Sequence, residues 1–302
     1  MNKGDEGFTR RGLQTSFEFF PPKTAAMASS LWETFHALAS LEPIFVSVTY
    51  GAGGATRHRT HEIVADIRAQ TSIEPAAHLT CVGATRDEIH EIATGYLRSG
   101  MHHIVALRGD PPHGHSVFEP YKSGYSNSVE LIRGLRGIAD FEITAAAYPE
   151  PHPDSRGAQS DMDYIKEKCD AGAARFITQF FFDNDCFYRF YNSVQSSGVI
   201  APIIPGILPI TNFEQIARFS LKCGATIPKS FAERFDKFSN KPGEMRKVAV
   251  EIAAEQCLQL ISLGVNQFHF YTLNRADLVL EVCALLGVKA MRVLHPKVGV
   301  SL

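Results

Sequence analysis

Residues 76–108 read AAHLTCVGATRDEIHEIATGYLRSGMHHIVALR, and they contain one complete turn of the pattern that runs through the chain. The stretch opens on a brief, nearly continuous apolar run, Ala76–Cys81, as a strand covered on both faces requires. Thr85-Arg-Asp-Glu88 follows as a capping box, in which the Thr oxygen and the Glu carboxylate satisfy amides that a helix start leaves unpaired. Behind it Ile89, Ile92, Ala93, Tyr96 and Leu97 fall on one helical face, and Gly100 stops the helix. A second apolar run, His103–Arg108, comes next. Strand, amphipathic helix and the return to a strand therefore occupy about 30 residues, the size of one βα unit.

The same alternation extends outward in both directions. Strands are predicted at Ser16–Phe20, Ile44–Tyr50, Ala76–Cys81, His103–Arg108, Glu142–Tyr148, Arg175–Phe182, Pro202–Leu208 and Gln267–Leu273. The first seven recur at about 31 residues, close to a barrel repeat. The last interval is about twice that length. It leaves room for an extra element around Pro228–Ser239, ahead of a long helix from Glu244 to Leu263 that Gly264 ends. Thr211-Asn-Phe-Glu214 predicts a second capping box after strand seven. No linker or composition shift divides the chain. Eight strands suit closure better than an open doubly wound sheet, so the prediction is a single (β/α)8 barrel over residues 1–302, with a short polar N-terminal extension at about 1–15.

Composition removes several function classes. With 45% apolar and 21% charged residues, the 302-residue chain is no disordered protein. Thirty basic residues against thirty-two acidic ones leave a net charge of −2, which offers no electrostatic footprint for nucleic acid. No apolar run approaches the ~18 residues of a membrane span. The polar start, Met1 to Arg11, lacks the apolar segment of a secretory signal. Six scattered cysteines with no C-x-x-C predict reduced thiols in a cytoplasmic protein, not a disulfide framework or a zinc site.

Polar residues nevertheless occur in or just after these apolar strands: Glu18, Thr49, His78, Arg108 with Asp110, Tyr148, Gln179 and Arg275. Active sites of such barrels lie at the C-terminal strand ends. Buried polar groups are costly without partners, so this set predicts a ligand-lined mouth. Glu18 stands among aromatics in Phe17-Glu18-Phe19-Phe20-Pro21-Pro22. Desolvation should raise its pKa and make it a general acid near neutrality; a structural carboxylate paired with a buried arginine is the alternative. Asp110, in Arg108-Gly109-Asp110-Pro111-Pro112, could face a ligand ring or simply form an Asp turn. Gly51-Ala-Gly53-Gly54-Ala-Thr56 fails the dinucleotide fingerprint at Thr56 and supports only a close-approach turn. His58-x-x-His61 and His113-x-His115 lack supporting ligands, so no metal site is predicted. P-loop and nucleophile-elbow motifs do not occur.

Eight blocks taken together resemble the methylenetetrahydrofolate reductase family, short bacterial type. They are Ser16-Phe-Glu-Phe-Phe-Pro-Pro22, Phe45-Val-Ser-Val-Thr-Tyr-Gly-Ala52, Ala77-His-Leu-Thr-Cys81 and His103-Ile-Val-Ala-Leu-Arg-Gly-Asp110. The others are Ala146-Ala-Tyr-Pro-Glu150, Ile177-Thr-Gln-Phe-Phe-Phe-Asp183, Ile204-Pro-Gly-Ile-Leu-Pro209 and His269-Phe-Tyr-Thr-Leu-Asn-Arg275. The resemblance implies a (β/α)8 barrel that holds FAD non-covalently. NADH or NADPH would give hydride to FAD and leave. The flavin would then pass it to methylenetetrahydrofolate, yielding methyltetrahydrofolate for methionine synthesis and one-carbon metabolism. A homo-oligomer is implied as well.

Residue by residue, Glu18 matches the acid that protonates the bridging nitrogen of the folate ring, opening it to an iminium cation. Asp110 matches the carboxylate beside flavin and pterin. Thr49, Tyr50, Ala52, His78, Arg108, Gly109, Asp110, Tyr125, Tyr148, His152, Asp161 and Lys168 match flavin positions. Gln179, Gln215 and Arg275 match folate positions, with Gln179 also near the nicotinamide. Phe219, one helical turn beyond Gln215, resembles the aromatic that stacks on either substrate; a helix-core residue is the alternative. Tyr164 and Glu167 depart from the Asn and Arg expected there, and an acidic Glu167 is unfavourable beside a pyrophosphate. The loop Pro111–Tyr125 is two residues longer than the enteric pattern, and the autoinhibitory domain of animal forms is not expected. Two rival readings remain at this point: a flavin-free folate-dependent barrel methyltransferase, which would be colourless, and a non-enzymatic binding module, which would need no buried acid.

Overall fold

Successive strand residues face opposite layers, which is how runs that read as continuously apolar still carry polar side chains into a barrel. The computed structural model describes residues 12–50, 57–111, 118–152, 154–155, 157–210, 212–238 and 241–290. In chain order the strands are β1 (Gln14–Phe19), β2 (Phe45–Val48), β3 (Pro75–Thr80), β4 (His103–Leu107), β5 (Glu142–Ala147), β6 (Arg175–Thr178), β7 (Ile203–Ile204), β8 (Gly206–Ile207) and β9 (Gln267–Tyr271). The helices are α1 (Ala25–Ala39), α2 (Arg57–Gln70), α3 (Arg86–Arg98), α4 (Ser128–Arg136), α5 (Ala158–Asp170), α6 (Asn184–Ser196), α7 (Phe213–Cys223), α8 (Lys229–Asp236), α9 (Pro242–Ser262) and α10 (Asp277–Leu285).

All pairings are parallel, in the order β7-β6-β5-β4-β3-β2-β1-β9-β8. Ile203–Ile204 pairs with β6 and Gly206–Ile207 with β9, so one stretch of chain closes the circle. The fold is a single-domain (β/α)8 barrel, and all eight expected runs are strands.

Strand seven is split where Pro205 has no N–H to give. The Pro205 carbonyl accepts from His269 N at 3.0 Å, and Gly206 N turns to Thr178 Oγ1 at 2.9 Å. Other boundaries differ for similar local reasons. β1 starts at Gln14, inside the stretch read as an extension, because its N–H bonds Asn266 O at 2.9 Å. β6 stops at Thr178 and not at Phe182, since Phe180 N leaves the ladder for the Gln179 side chain, Oε1 at 3.0 Å.

The helix signals hold where capping atoms can reach. Thr85 Oγ1 accepts from Glu88 N at 3.2 Å, Glu88 Oε2 accepts from Thr85 N at 2.7 Å, and Gly100 leaves the helix at φ 73°. At α7 the cap is Asn212 and not the expected Thr211, which lies outside the described residues. Asn212 Oδ1 accepts from Gln215 N at 2.9 Å, in keeping with the strength of Asn as an N-cap. α8 is the extra element, and α9 the long helix that follows it.

Phe17, Phe19, Val46, Val48, Leu79, Phe268 and Phe270 point outward into the layer beneath the helices. Phe45, Ala76, Val105, Ile177 and Ile204 form a separate cluster inside. Two imidazoles flank the Phe45 ring, His103 edge-on at 4.7 Å and His269 stacked at 5.8 Å. His103 Nε2 meets Thr144 Oγ1 at 2.7 Å and His269 Nδ1 meets Ser16 Oγ at 2.8 Å. Burial lowers both histidines to about 3, so this floor carries neutral rings.

Gly206 marks the tightest point of the seam. A Cβ there would lie 2.2 Å from the Thr178 carbonyl oxygen and 2.5 Å from Tyr271 Cε2. Gly206→Ala should therefore open the β6–β8–β9 seam and destabilise the fold by about 1–3 kcal/mol or more, read as a lowered urea midpoint. An unchanged midpoint would show that the seam relaxes freely.

Candidate active site

The C-terminal strand ends surround a cleft of about 1000 Å3. It brings together Glu18, Thr49, Tyr50, His78, Arg108, Gly109, Asp110, Tyr148, His152, Asp161, Lys168 and Gln179, from six strands and helix α5. A smaller groove of about 690 Å3 between α1 and α2, beside Trp32, Arg59 and Glu62, holds none of these side chains.

Glu18 is 8% exposed, deep in the cleft. Burial raises its carboxyl to about 8, and burial lowers the adjacent His78 to about 3. His78 Nε2 lies 3.6 Å from Glu18 Oε2. At neutral pH both groups are uncharged, so this contact is not an ion pair. Among the described residues no lysine or arginine lies within 4.0 Å of Glu18, so the buried-arginine alternative finds no partner. His78 Nε2 and Thr80 Oγ1, two residues apart on the same face of β3, are buried without a hydrogen-bond partner and line the cleft.

β4 leads into a turn that brings the chain close to the cleft. Gly109 has φ 86°, and a Cβ there would meet Val82 Cγ2 at 2.6 Å, so only glycine fits. Arg108 on one side donates to Asp154 Oδ2 at 2.9 Å and lies 5.1 Å from the Phe118 ring centre. Asp110 on the other side is exposed at the mouth. At the end of the neighbouring strand β5, Tyr148 packs edge-on against His152 at 4.7 Å. Burial, reinforced by Asp110, pushes the Tyr148 hydroxyl up to about 12.

Lys168 on α5 is a buried cation. Its ammonium donates to Ala146 O at 2.8 Å and sits 4.4 Å from the Tyr164 ring centre. Burial lowers it to about 8, with Asp161 pulling the other way. Tyr164, one of the departures noted in the sequence, holds Ser128 Oγ at 2.9 Å through its hydroxyl, and Glu167, the other, lines the cleft as an exposed carboxylate.

Four of the expected site residues do not line the cleft. Tyr125 is turned away from it: the hydroxyl meets His90 Nε2 at 2.7 Å, and the ring occupies the space left by Gly134 on α4. Ser126, Asn127 and Ser128, its neighbours, line the cleft instead. Gln215 is exposed at the start of α7, and Arg275 is exposed in the loop after β9, bonded to Asp277 Oδ2 at 3.2 Å. Phe219 is 45% exposed and stacks on Phe180 at 5.5 Å, so it is not a core residue of α7. Phe180 in turn meets Tyr271, a cleft residue, at 6.3 Å. Ala52 lies outside the described residues.

Thr80, Asp154 and Tyr271 also line the cleft and were not singled out in the sequence. Period-two alternation from His78 and His269 was the available signal for the first and last. On α2, His58 pairs with Glu62 Oε1 at 3.1 Å and His61 packs against Tyr96 at 5.3 Å. His113 and His115 lie outside the described residues. Among the described residues no cluster of metal-binding side chains converges, and no helix is long and apolar enough to cross a membrane.

A closed parallel barrel with a buried acid in a polar cleft at its mouth is the architecture of a barrel enzyme. A sequence model of methylenetetrahydrofolate reductase matches residues 7–287. The chain is 46% identical over 277 residues to 5,10-methylenetetrahydrofolate reductase of Escherichia coli, covering 92% of each chain. It is 44% identical to the enzyme of the same name from Pectobacterium carotovorum, covering 92% of this chain and 91% of that one. It belongs to the methylenetetrahydrofolate reductase family. Among solved structures, a Clostridium thermocellum protein described as binding two copies of 5-methyl-5,6,7,8-tetrahydrofolic acid aligns with a TM-score of 0.58 at 13% identity, over 91% of this chain and 94% of that one. At that identity the likeness concerns the barrel alone.

Proposed function

We propose that this chain reduces 5,10-methylenetetrahydrofolate to 5-methyltetrahydrofolate, with non-covalently held FAD and with NADH or NADPH as donor. The observation that carries the reading is Glu18, a carboxyl kept protonated by burial at the bottom of the cleft of a family barrel. The cleft residues suit a flavin nucleotide. His78 Nε2 and Thr80 Oγ1 lack partners that a polar ring edge would supply. Gly109 turns the backbone at the cleft wall by its positive φ, and Lys168 with Arg108 offers two cations to a diphosphate. Bound FAD would supply a two-electron hydride carrier between nicotinamide and folate.

The residues then divide the work. Thr49, Tyr50, Ala52, Tyr148, His152 and Asp161 hold the flavin nucleotide alongside His78, Arg108, Gly109 and Lys168. Gln179, Gln215, Phe219 and Arg275 hold the folate, and Gln179 and Phe219 also meet the nicotinamide. Glu18 gives its proton to the bridging nitrogen, the bond from that nitrogen to the methylene carbon breaks, and an iminium cation forms. Hydride addition to the same carbon completes the methyl group. Asp110 favours the cation by its charge. The product feeds methionine synthesis, and the enzyme acts in the cytoplasm as a homo-oligomer.

The purified protein should be yellow, with absorbance near about 450 nm that a reduced nicotinamide bleaches without oxygen. A colourless protein that takes up no FAD would overturn the reading. Phe219→Ala should raise KM for both substrates while costing well under the about 3–5 kcal/mol of a buried Phe. Thermal melting beside half-reaction kinetics checks this; a large fall in Tm with unchanged substrate constants would contradict it.

A further inference from the structure

The β1–β9 ladder ends at the pair Glu18 and Tyr271, leaving the chain beyond Glu18 without strand partners on that side. Side chains from the loop after β9 continue it. Thr272 Oγ1 donates to Glu18 O at 2.6 Å. Asn274 pairs with both backbone groups of Phe20: Phe20 N donates to Oδ1 and Nδ2 donates to Phe20 O, each at 2.8 Å. Asn274 N donates to Thr272 Oγ1 at 3.1 Å, and Thr34 Oγ1 on α1 donates to Asn274 O at 3.0 Å.

This clasp requires an unusual backbone. Leu273 and Asn274 have φ of 51° and 55°, a region that Asn tolerates and Leu resists. A strained pair persists only where its surroundings over-determine it. Here the strain aims one amide at Phe20, and the next residue along is Arg275. One side chain thus joins the strand of the buried acid to the loop of the exposed guanidinium.

We propose that Asn274 is a positioning residue that fixes the Glu18 strand and the Arg275 loop relative to each other, so that acid and arginine engage the same folate molecule. The proposal rests on the functional reading above. A strand end without ladder bonds frays. A misplacement of about 1 Å at a reacting centre can cost on the order of 10²-fold in rate.

The test uses flavin-loaded Asn274→Gly and Asn274→Asp, with each half-reaction followed separately. Gly tolerates positive φ and removes both side-chain bonds. Flavin reduction by the nicotinamide should stay within about threefold of wild type, while transfer to folate falls on the order of 10²-fold and KM for folate rises. In the Asp variant a carboxylate sets one oxygen against the Phe20 carbonyl, whereas a protonated carboxyl restores the lost donor. Its folate half-reaction, taken relative to wild type at each pH, should therefore recover as the pH falls through the ordinary Asp value of about 3.9. Equal losses in both half-reactions, wild-type folate transfer by the Gly variant, or no recovery in the Asp variant would overturn the proposal alone. A wild-type enzyme unable to pass hydride to folate would overturn the functional reading and this proposal with it.

Discussion

Glu18→Gln will leave reduction of bound flavin by the nicotinamide within a few-fold of wild type and slow transfer to methylenetetrahydrofolate by about 10²–10⁴-fold. The substitution keeps shape and removes the transferable proton. Nicotinamide needs no protonation to give hydride, whereas the folate ring must be opened by an acid. Glu18 can be that acid because burial holds its carboxyl at about 8 and the neighbouring His78, at about 3, brings no cation to ionise it. The sign of the pH dependence follows. Below about 8 the acid form dominates, so wild-type folate transfer is flat; above it the proton is lost and the rate falls. The Gln variant's residual rate should lack that fall. A structural Glu18 would make both half-reactions suffer together, with loss of flavin or of stability. Stopped-flow absorbance at the flavin band separates these outcomes.

Asp110→Asn will slow folate reduction on the order of 10²-fold, because a positioned charge is removed from beside a developing cation. Asp110 stands at the cleft mouth immediately after Gly109, whose positive φ and crowded surroundings set the course of that turn. Beside a bound flavin the same carboxylate would oppose negative charge on its reduced form, so the Asn variant should also show a more positive flavin potential. Oxidation of the pre-reduced variant by folate at the wild-type rate would remove Asp110 from this role.

Much of the architecture was legible because barrel strands are buried on both faces and helix ends need caps. The run His103-Ile-Val-Ala-Leu107 and the box at Thr85 and Glu88 each carry their structure locally. The split at Pro205 did not show, because a proline in a strand is legible but the side on which each neighbour pairs is not. The site was partly legible too. Glu18, His78 and Gln179 stand out as polar residues in apolar runs, and they line one cleft. Tyr125 stands outside the cleft lining because His90 on α3 and the hollow at Gly134 on α4 hold its side chain between helices. Thr80 and Tyr271 were missed because a run read as uniformly apolar hides its two-residue alternation. Asn274 was hidden for another reason: its contact with Phe20 spans nearly the whole chain.

On the proposed function, one buried acid in this cleft opens folate for reduction by flavin. The most direct measurement is a single turnover of nicotinamide-reduced enzyme mixed with 5,10-methylenetetrahydrofolate, without oxygen, across the pH range around about 8. The oxidised flavin band should return with one methyltetrahydrofolate formed per flavin, at a rate that is flat at lower pH and falls above about 8. Flavin that stays reduced in the presence of folate, or reoxidation whose rate ignores pH through that range, would contradict it.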